Sequence, residues 1–205
     1  MEQALPERGE RGVDLGCGAG RFVDLLADRC QQVLAVDASP RMVELARDRH
    51  DRPNITYRVE DLWRLTPARE GRFDVVLSVN TLHHLGPDPQ AYLAHVRDLL
   101  NPGGRLVVID SVQHTPGWVK GPVGYRAYRW TRTLSGAIRA GVTGRGLGVA
   151  LASYQLRKHE RWQELAAQAP ALSRAQFHQE YRRAFPGAEF QDRLDPSVCG
   201  MSWTA

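Results

Sequence analysis

Between residues 12 and 110, short apolar runs alternate with helix-patterned stretches, and this alternation constrains the fold more than any other feature of the chain. The runs are Gly12–Leu15, Gln32–Val36, Ile55–Val59, Phe73–Val79 and Arg105–Ile109. Helix patterns lie between them at Gly20–Arg29, Pro40–Arg49 and Pro89–Leu100. Runs such as VVLSV and LVVI are apolar throughout, as in strands covered on both faces. Strand–helix alternation at this spacing predicts an α/β fold built on a parallel, doubly wound sheet.

Local chemistry marks the boundaries. Ser39-Pro40 pairs a helix cap with proline at the first helical position, which sets the start of the second helix. Along that helix Met42, Val43, Leu45 and Ala46 form an apolar side, while Arg41, Glu44, Arg47 and Asp48 stay in water. Asn101-Pro102-Gly103-Gly104 reads as the end of the next helix pattern and the turn into the fifth strand. After Asp110 the alternation stops, and order resumes at Ser173. Ser173–Phe185 reads as a capped helix with Phe177, Tyr181 and Phe185 on one face. Pro186-Gly187 breaks it, and two final strands are expected at Ala188–Leu194 and Val198–Thr204.

The first strand runs through VDLGCGAGRF into a helix, with Gly16, Gly18 and Gly20 at the turn. Glycines accept positive φ and let a ligand approach the backbone. A dinucleotide fingerprint wants G-x-G-x-x-G, so that a pyrophosphate sits on the helix N-terminus. Here the third glycine comes one residue early and Arg21 takes the expected slot, which disfavours hydride chemistry. Asp37 follows at the end of the second strand, 21 positions after Gly16, where a carboxylate can accept two ribose hydroxyls.

These residues carry a family resemblance. The chain resembles class I S-adenosylmethionine-dependent methyltransferases, in the small-molecule group that includes the ubiquinone and menaquinone biosynthesis methyltransferases. Asp14-Leu15-Gly16-Cys17-Gly18-Ala19-Gly20 is similar to the family's first motif, FDVVLSVNTLHHL to its fourth, and LLNPGGRLVVID to its link into strand five. The resemblance implies a Rossmann-like fold with a seven-stranded, mostly parallel sheet and an antiparallel last strand. It implies S-adenosyl-L-methionine as cofactor and S-adenosyl-L-homocysteine as product. The glycines and Asp14 then lie by the methionine part, Asp37 on the ribose and Met42 on the adenine. For Met42, a place in the helix's core face is an equal alternative. Asp61 takes the adenine amino group and the Leu62 backbone meets the ring. Val79 and Asn80 flank the sulfonium and the amino-acid end.

A sulfonium is already an activated leaving group, so alignment and exclusion of water supply much of the catalysis. A base helps when the acceptor is a phenol, an alcohol or an acidic carbon. His83 and His84 lie just beyond the fourth strand and Asp110 ends the fifth, so all three can face one crevice, and histidine as a residue type titrates near neutrality, which suits a base. The bland alternative is a packed histidine. These residues favour O- or C-methylation. Cys17 reads as small and buried.

Composition narrows the setting. Three cysteines, Cys17, Cys30 and Cys199, stand at unrelated spacings, which argues against a disulfide framework or a zinc site and suits a reducing cytoplasm. The first dozen residues are polar and mixed in charge and do not read as a secretory signal. No apolar run has the length of a membrane span. From Ser111 to Leu165, nine Lys or Arg face two Glu, leaving that stretch +7 and the remainder −3.

Trp118, Tyr125, Tyr128, Trp130, Tyr154 and Trp162 interleave with those cations. Within a single domain spanning 1–205, residues 111–170 are therefore expected to be an insertion that forms a lid and acceptor pocket. The insertion suits an acidic or aromatic small molecule, peripheral contact with a membrane and its lipid or quinone acceptors, a nucleic acid, or no partner at all. Asn80-Thr81-Leu82-His83 stands where many base-methylating enzymes carry NPPY or DPPY, which argues against tRNA or rRNA. A non-catalytic cofactor-binding domain is the remaining rival.

Overall fold

The computed structural model describes residues 2–113, 119–121, 123–124, 131, 172–195 and 197–205. The chain divides into two units, Met1–Gln113 with Ala171–Ala205, and His114–Pro170. The expected lid and acceptor pocket at 111–170 lie almost wholly outside the described residues. Among the described residues, no helix is long and apolar enough to cross a membrane.

The first unit is built on a seven-stranded sheet. In chain order its elements are β1 (Gly9–Leu15), α1 (Val23–Ala27), β2 (Cys30–Asp37), α2 (Pro40–Arg49), β3 (Ile55–Val59), α3 (Pro67–Glu70), β4 (Phe73–Val79), α4 (Pro89–Asp98), β5 (Leu100–Ser111), α5 (Arg174–Ala184), β6 (Glu189–Asp195) and β7 (Val198–Thr204). The strand order is β3-β2-β1-β4-β5-β7-β6. Only β7 runs antiparallel, returning from β6 to insert beside β5. The doubly wound sheet expected from the alternation is thus present, with its antiparallel last strand.

Both faces are dry, which explains the apolar runs. Alternate residues Val13, Leu15, Val36, Val76 and Val108 pack toward α4 and α5. The intervening Val33, Ala35, Val75, Leu77 and Val107 pack on the face that α1 covers through Val23 and Leu26. On α5, Phe177, Tyr181 and Phe185 are all buried, as the period of the pattern requires.

Two expectations need correction. The first helix is much shorter than Gly20–Arg29, because successive tight turns run from Cys17 to Phe22 and Asp28 caps the far end. Asn101–Gly104 is not the turn before β5 but part of it. Gly103 N donates to Ala205 O and Ala205 N donates to Gly104 O, both at 2.9 Å, so the end of the chain extends the strand pairing over this stretch.

Arg105 ties the ends of the unit into the sheet. Its Nε donates to Ala4 O, while Nη1 and Nη2 donate to the Thr204 and Ser202 hydroxyls, each at 2.9 Å. At the start of α5, Ser173 N donates to Gln176 Oε1 at 2.9 Å and Gln176 N donates to Ser173 Oγ at 3.3 Å, a reciprocal cap. Ser173→Ala is expected to lower stability by about 1 kcal/mol in urea denaturation, with little change in the slope of the transition.

Candidate active site

The carboxyl ends of β1, β2, β4 and β5 converge on one crevice, the position at which open parallel sheets bind ligands. The glycine loop is fastened to β2 by Gly16 N and Cys17 N, which both donate to Val36 O at 2.8 and 2.9 Å. Gly16 has φ +76°, and a Cβ there would fall on the Thr81 side chain, so this glycine lets the loop after β4 close against the loop after β1. Gly18, at φ +53°, differs: a Cβ would meet nothing within 4 Å. Gly16 is a packing glycine, and Gly18 faces open space where a ligand can reach the backbone.

Two carboxylates serve this loop. Asp37 Oδ2 accepts from Gly18 N at 2.8 Å and Oδ1 from Ser39 N at 2.9 Å. Each oxygen keeps a further acceptor position, so the side chain is aimed while still able to bind hydroxyls. Asp14 is 2% exposed, and its Oδ2 is buried without a hydrogen-bond partner. Burial, and secondarily the negative charge of Asp37, push its pKa up to about 7. Cys17 is buried too, and burial followed by Asp14 and Asp37 raises its thiol pKa, which makes it inert.

The remaining expected residues fall around the same ends. Met42 is 39% exposed, and α2 uses Val43 and Ala46 for the core instead. Val59, which the sequence did not single out, is 47% exposed at the end of β3. Asp61 Oδ1 accepts from Trp63 N at 3.0 Å and caps a single 3-10 turn, Leu62–Arg64, whose Leu62 is buried. Glu60 is committed elsewhere, to Arg58 and Arg69.

Trp63 also carries no sequence signal of a site residue. Its Nε1 donates to Leu85 O at 3.2 Å, and His95 Nε2 donates to Leu62 O at 2.8 Å. Trp63 thus ties the loop after β3 to the turn carrying His83 and His84, and His95 ties it to α4.

Beyond β4 the backbone is strained. Asn80 has φ +55°, the one non-glycine in the left-handed region among the described residues. Its N–H donates to Ile109 O and its Oδ1 accepts from the Ser111 hydroxyl, both at 2.7 Å. This reversal leads into the 3-10 turn Leu82–His84. There His83 Nδ1 bonds Asp110 Oδ1, and His83 N donates to Asp110 Oδ2 at 3.2 Å. Asp110 is 4% and His83 13% exposed at the side chain.

The His84 ring lies tilted against His83, centroids 4.0 Å apart, but is exposed and has no such carboxylate. Its pKa is lowered, first by desolvation and then by His83. A separate cavity, lined in part by Arg11, Leu34, Thr56, Arg58 and Glu70, opens lower on the sheet. Its arginines are engaged: Arg11 with the Glu70 and Arg72 carbonyls, and Arg58 with Glu60 and Glu70.

Known proteins are similar to this chain in sequence and fold. Residues 13–108 match the family model described as a methyltransferase domain. The chain is 39% identical over 118 residues to the ubiquinone biosynthesis O-methyltransferase of Cereibacter sphaeroides (strain ATCC 17025 / ATH 2.4.3), covering 57% of this chain and 47% of that protein. It is 34% identical over 114 residues to the protein of that name from Xanthomonas axonopodis pv. citri (strain 306), covering 55% and 47%. The chain spans about half the length of these curated relatives.

Among solved structures, the CurJ carbon methyltransferase superposes with a TM-score of 0.61 at 20% identity, covering all of this chain and 50% of that one. The N-methyltransferase NodS of Bradyrhizobium japonicum WM9, in complex with S-adenosyl-L-homocysteine, gives 0.58 at 15%, covering 96% and 78%. Likeness at these identities concerns the fold. Strand order and the matched segment agree: residues 13–108 match a methyltransferase domain, on a sheet with the fold of methyltransferases of known structure.

Proposed function

We propose that the protein transfers the methyl group of S-adenosyl-L-methionine to a hydroxyl oxygen of a small-molecule acceptor, releasing S-adenosyl-L-homocysteine, with His83 as the base. One observation carries the reading: His83 is held by the buried Asp110 at the ends of β4 and β5, beside the glycine loop. With Nδ1–H donated to the carboxylate, Nε2 is left to take the acceptor's proton, and Asp110 stabilises the imidazolium that results. The Cereibacter and Xanthomonas relatives are O-methyltransferases by name, which favours oxygen over carbon.

The residues present fit the cofactor. When bound, it supplies an electrophilic methyl carbon on a sulfonium. An unpartnered buried carboxylate oxygen at Asp14 and the open space over Gly18 suit a cationic ligand lying close to the backbone. Gly16 and Gly20 shape that loop, Asp37 accepts from the ribose, and Asn80 borders the amino-acid end. Met42, Asp61 and Leu62 surround the adenine. Three free, buried cysteines support a reducing, cytoplasmic setting. The charge and aromatic content of 111–170 support a role for that stretch in binding the acceptor. Cofactor with acceptor is expected to protect the stretch in limited proteolysis, and equal cleavage with and without them counts against that role.

Calorimetry tests the cofactor assignment. Asp37→Ala is expected to weaken S-adenosyl-L-methionine by at least about tenfold, the loss of a pair of charge-assisted hydrogen bonds. Unchanged affinity in a folded variant removes the ribose role. Incubation with cofactor and a panel of catechols and phenols, read by mass spectrometry, tests the chemistry, because methylation adds one methylene in mass. Intact binding with no methylated product on any acceptor favours a non-catalytic domain.

A further inference from the structure

Away from that crevice, the C-terminal strands gather three donor atoms of three kinds. His178 on α5, Asp192 on β6 and Cys199 on β7 present an imidazole nitrogen, a carboxylate oxygen and a sulfur, all within 4.8 Å of one another. His178 Nε2 lies 2.8 Å and Cys199 Sγ 3.6 Å from the same atom, Asp192 Oδ1. A tetrahedral ion with donors at about 2.0–2.3 Å sets them about 3.3–3.8 Å apart, so imidazole and carboxylate separate by about half an ångström, while a pair at the 4.8 Å limit closes by about one.

The surroundings suit such an ion. Cys199 is fully buried, while Asp192 keeps 43% of its side chain exposed and leaves a fourth position to water. The His178 ring is held by stacking on Phe190, with centroids 4.4 Å apart. Arg174 also reaches Asp192 Oδ1, at 2.9 Å, and is the obvious competitor. Its guanidinium has other anchors, donating to Asp192 O at 3.2 Å and Val198 O at 3.4 Å, so it keeps a place when the carboxylate oxygen turns to a metal. Imidazole, thiolate and carboxylate together match borderline-soft divalent ions.

We propose that His178, Asp192 and Cys199 bind a zinc-type divalent cation that clasps the edge strand β6 to α5 and β7. Cys199 binds as thiolate, its proton passing to solvent. The donors stand 14 and 7 residues apart, a spacing that matches no zinc motif, so the sequence argued against a metal.

Cobalt(II) titrated into the reduced, metal-free full chain is the probe. One equivalent is expected to bind with a thiolate-to-cobalt charge-transfer band, and zinc is expected to displace it and raise Tm. Cys199→Ala removes the band, whereas Cys17→Ala with Cys30→Ala keeps it. Asp192→Asn, at the surface where folding is not at stake, weakens cobalt by at least about tenfold. Stoichiometry well below one, a band that survives Cys199→Ala, or affinity unchanged by Asp192→Asn overturns the proposal.

Discussion

Replacing Asp14 with Asn is expected to stabilise the ligand-free protein at pH 8 and to leave it unchanged near pH 4. In the unfolded chain this carboxyl titrates at its ordinary 3.8, and in the folded protein at about 7. Between those values the unfolded state gives up the proton while the folded state keeps it, so the wild type loses stability as pH rises from 4 through 7. A gap of about three pH units corresponds to on the order of 4 kcal/mol. The asparagine amide must itself find partners in that site, so this figure is a ceiling. Chemical denaturation at both pH values checks it. Equal stabilities at pH 8 would mean that Asp14 is solvated or paired in the folded protein. The same substitution is expected to weaken binding of S-adenosyl-L-methionine, whose sulfonium and ammonium are positive.

His83→Ala is expected to cut methyl transfer by about 10²–10⁴-fold, the usual range for a positioned base, while leaving cofactor affinity within about twofold. Asp110→Asn should produce a loss of the same order, since an amide can present its oxygen to Nδ1–H but cannot offset the imidazolium charge. If the two act as one unit, the double variant falls no further than the worse single. His84→Ala, lacking the carboxylate, is expected to change the rate far less. Single-turnover measurements with an acceptor that the wild type methylates separate these outcomes, and equal rates for His83→Ala and wild type would remove the base from the mechanism.

Much of this domain is legible in the order of its residues. Ile55–Val59, Phe73–Val79 and Pro40–Arg49 fall where the pattern puts them, because period and caps are local properties. Asp14, Asp37 and the glycines are legible for the same reason: a strand running straight into Gly-x-Gly-x-Gly defines its own turn. What failed was non-local. Asn101–Gly104 carries turn chemistry but is drawn into β5 by Ala205, about a hundred positions away.

The bond between His83 and Asp110 spans 27 positions, and the sequence puts both at the crevice without showing that they touch. The pattern alone balances Met42 between core and ligand; α2 leaves it exposed, having filled its core face with Val43 and Ala46. Trp63 and the trio His178, Asp192 and Cys199 give no periodic or motif signal, since their neighbours come from other elements.

The Arg105 guanidinium touches both the first turn of the chain and its last strand. The described unit is therefore nearly circular in connectivity, with residues 4 and 204 held by one side chain. A linker that joins residue 204 directly to residue 4 is expected to close this unit, with new ends opened at a loop such as Asp51–Pro53. In such a permutant the strand order and the His83–Asp110 pair should persist. Residues 4 and 204 both lie at the end of the sheet opposite the cofactor loops.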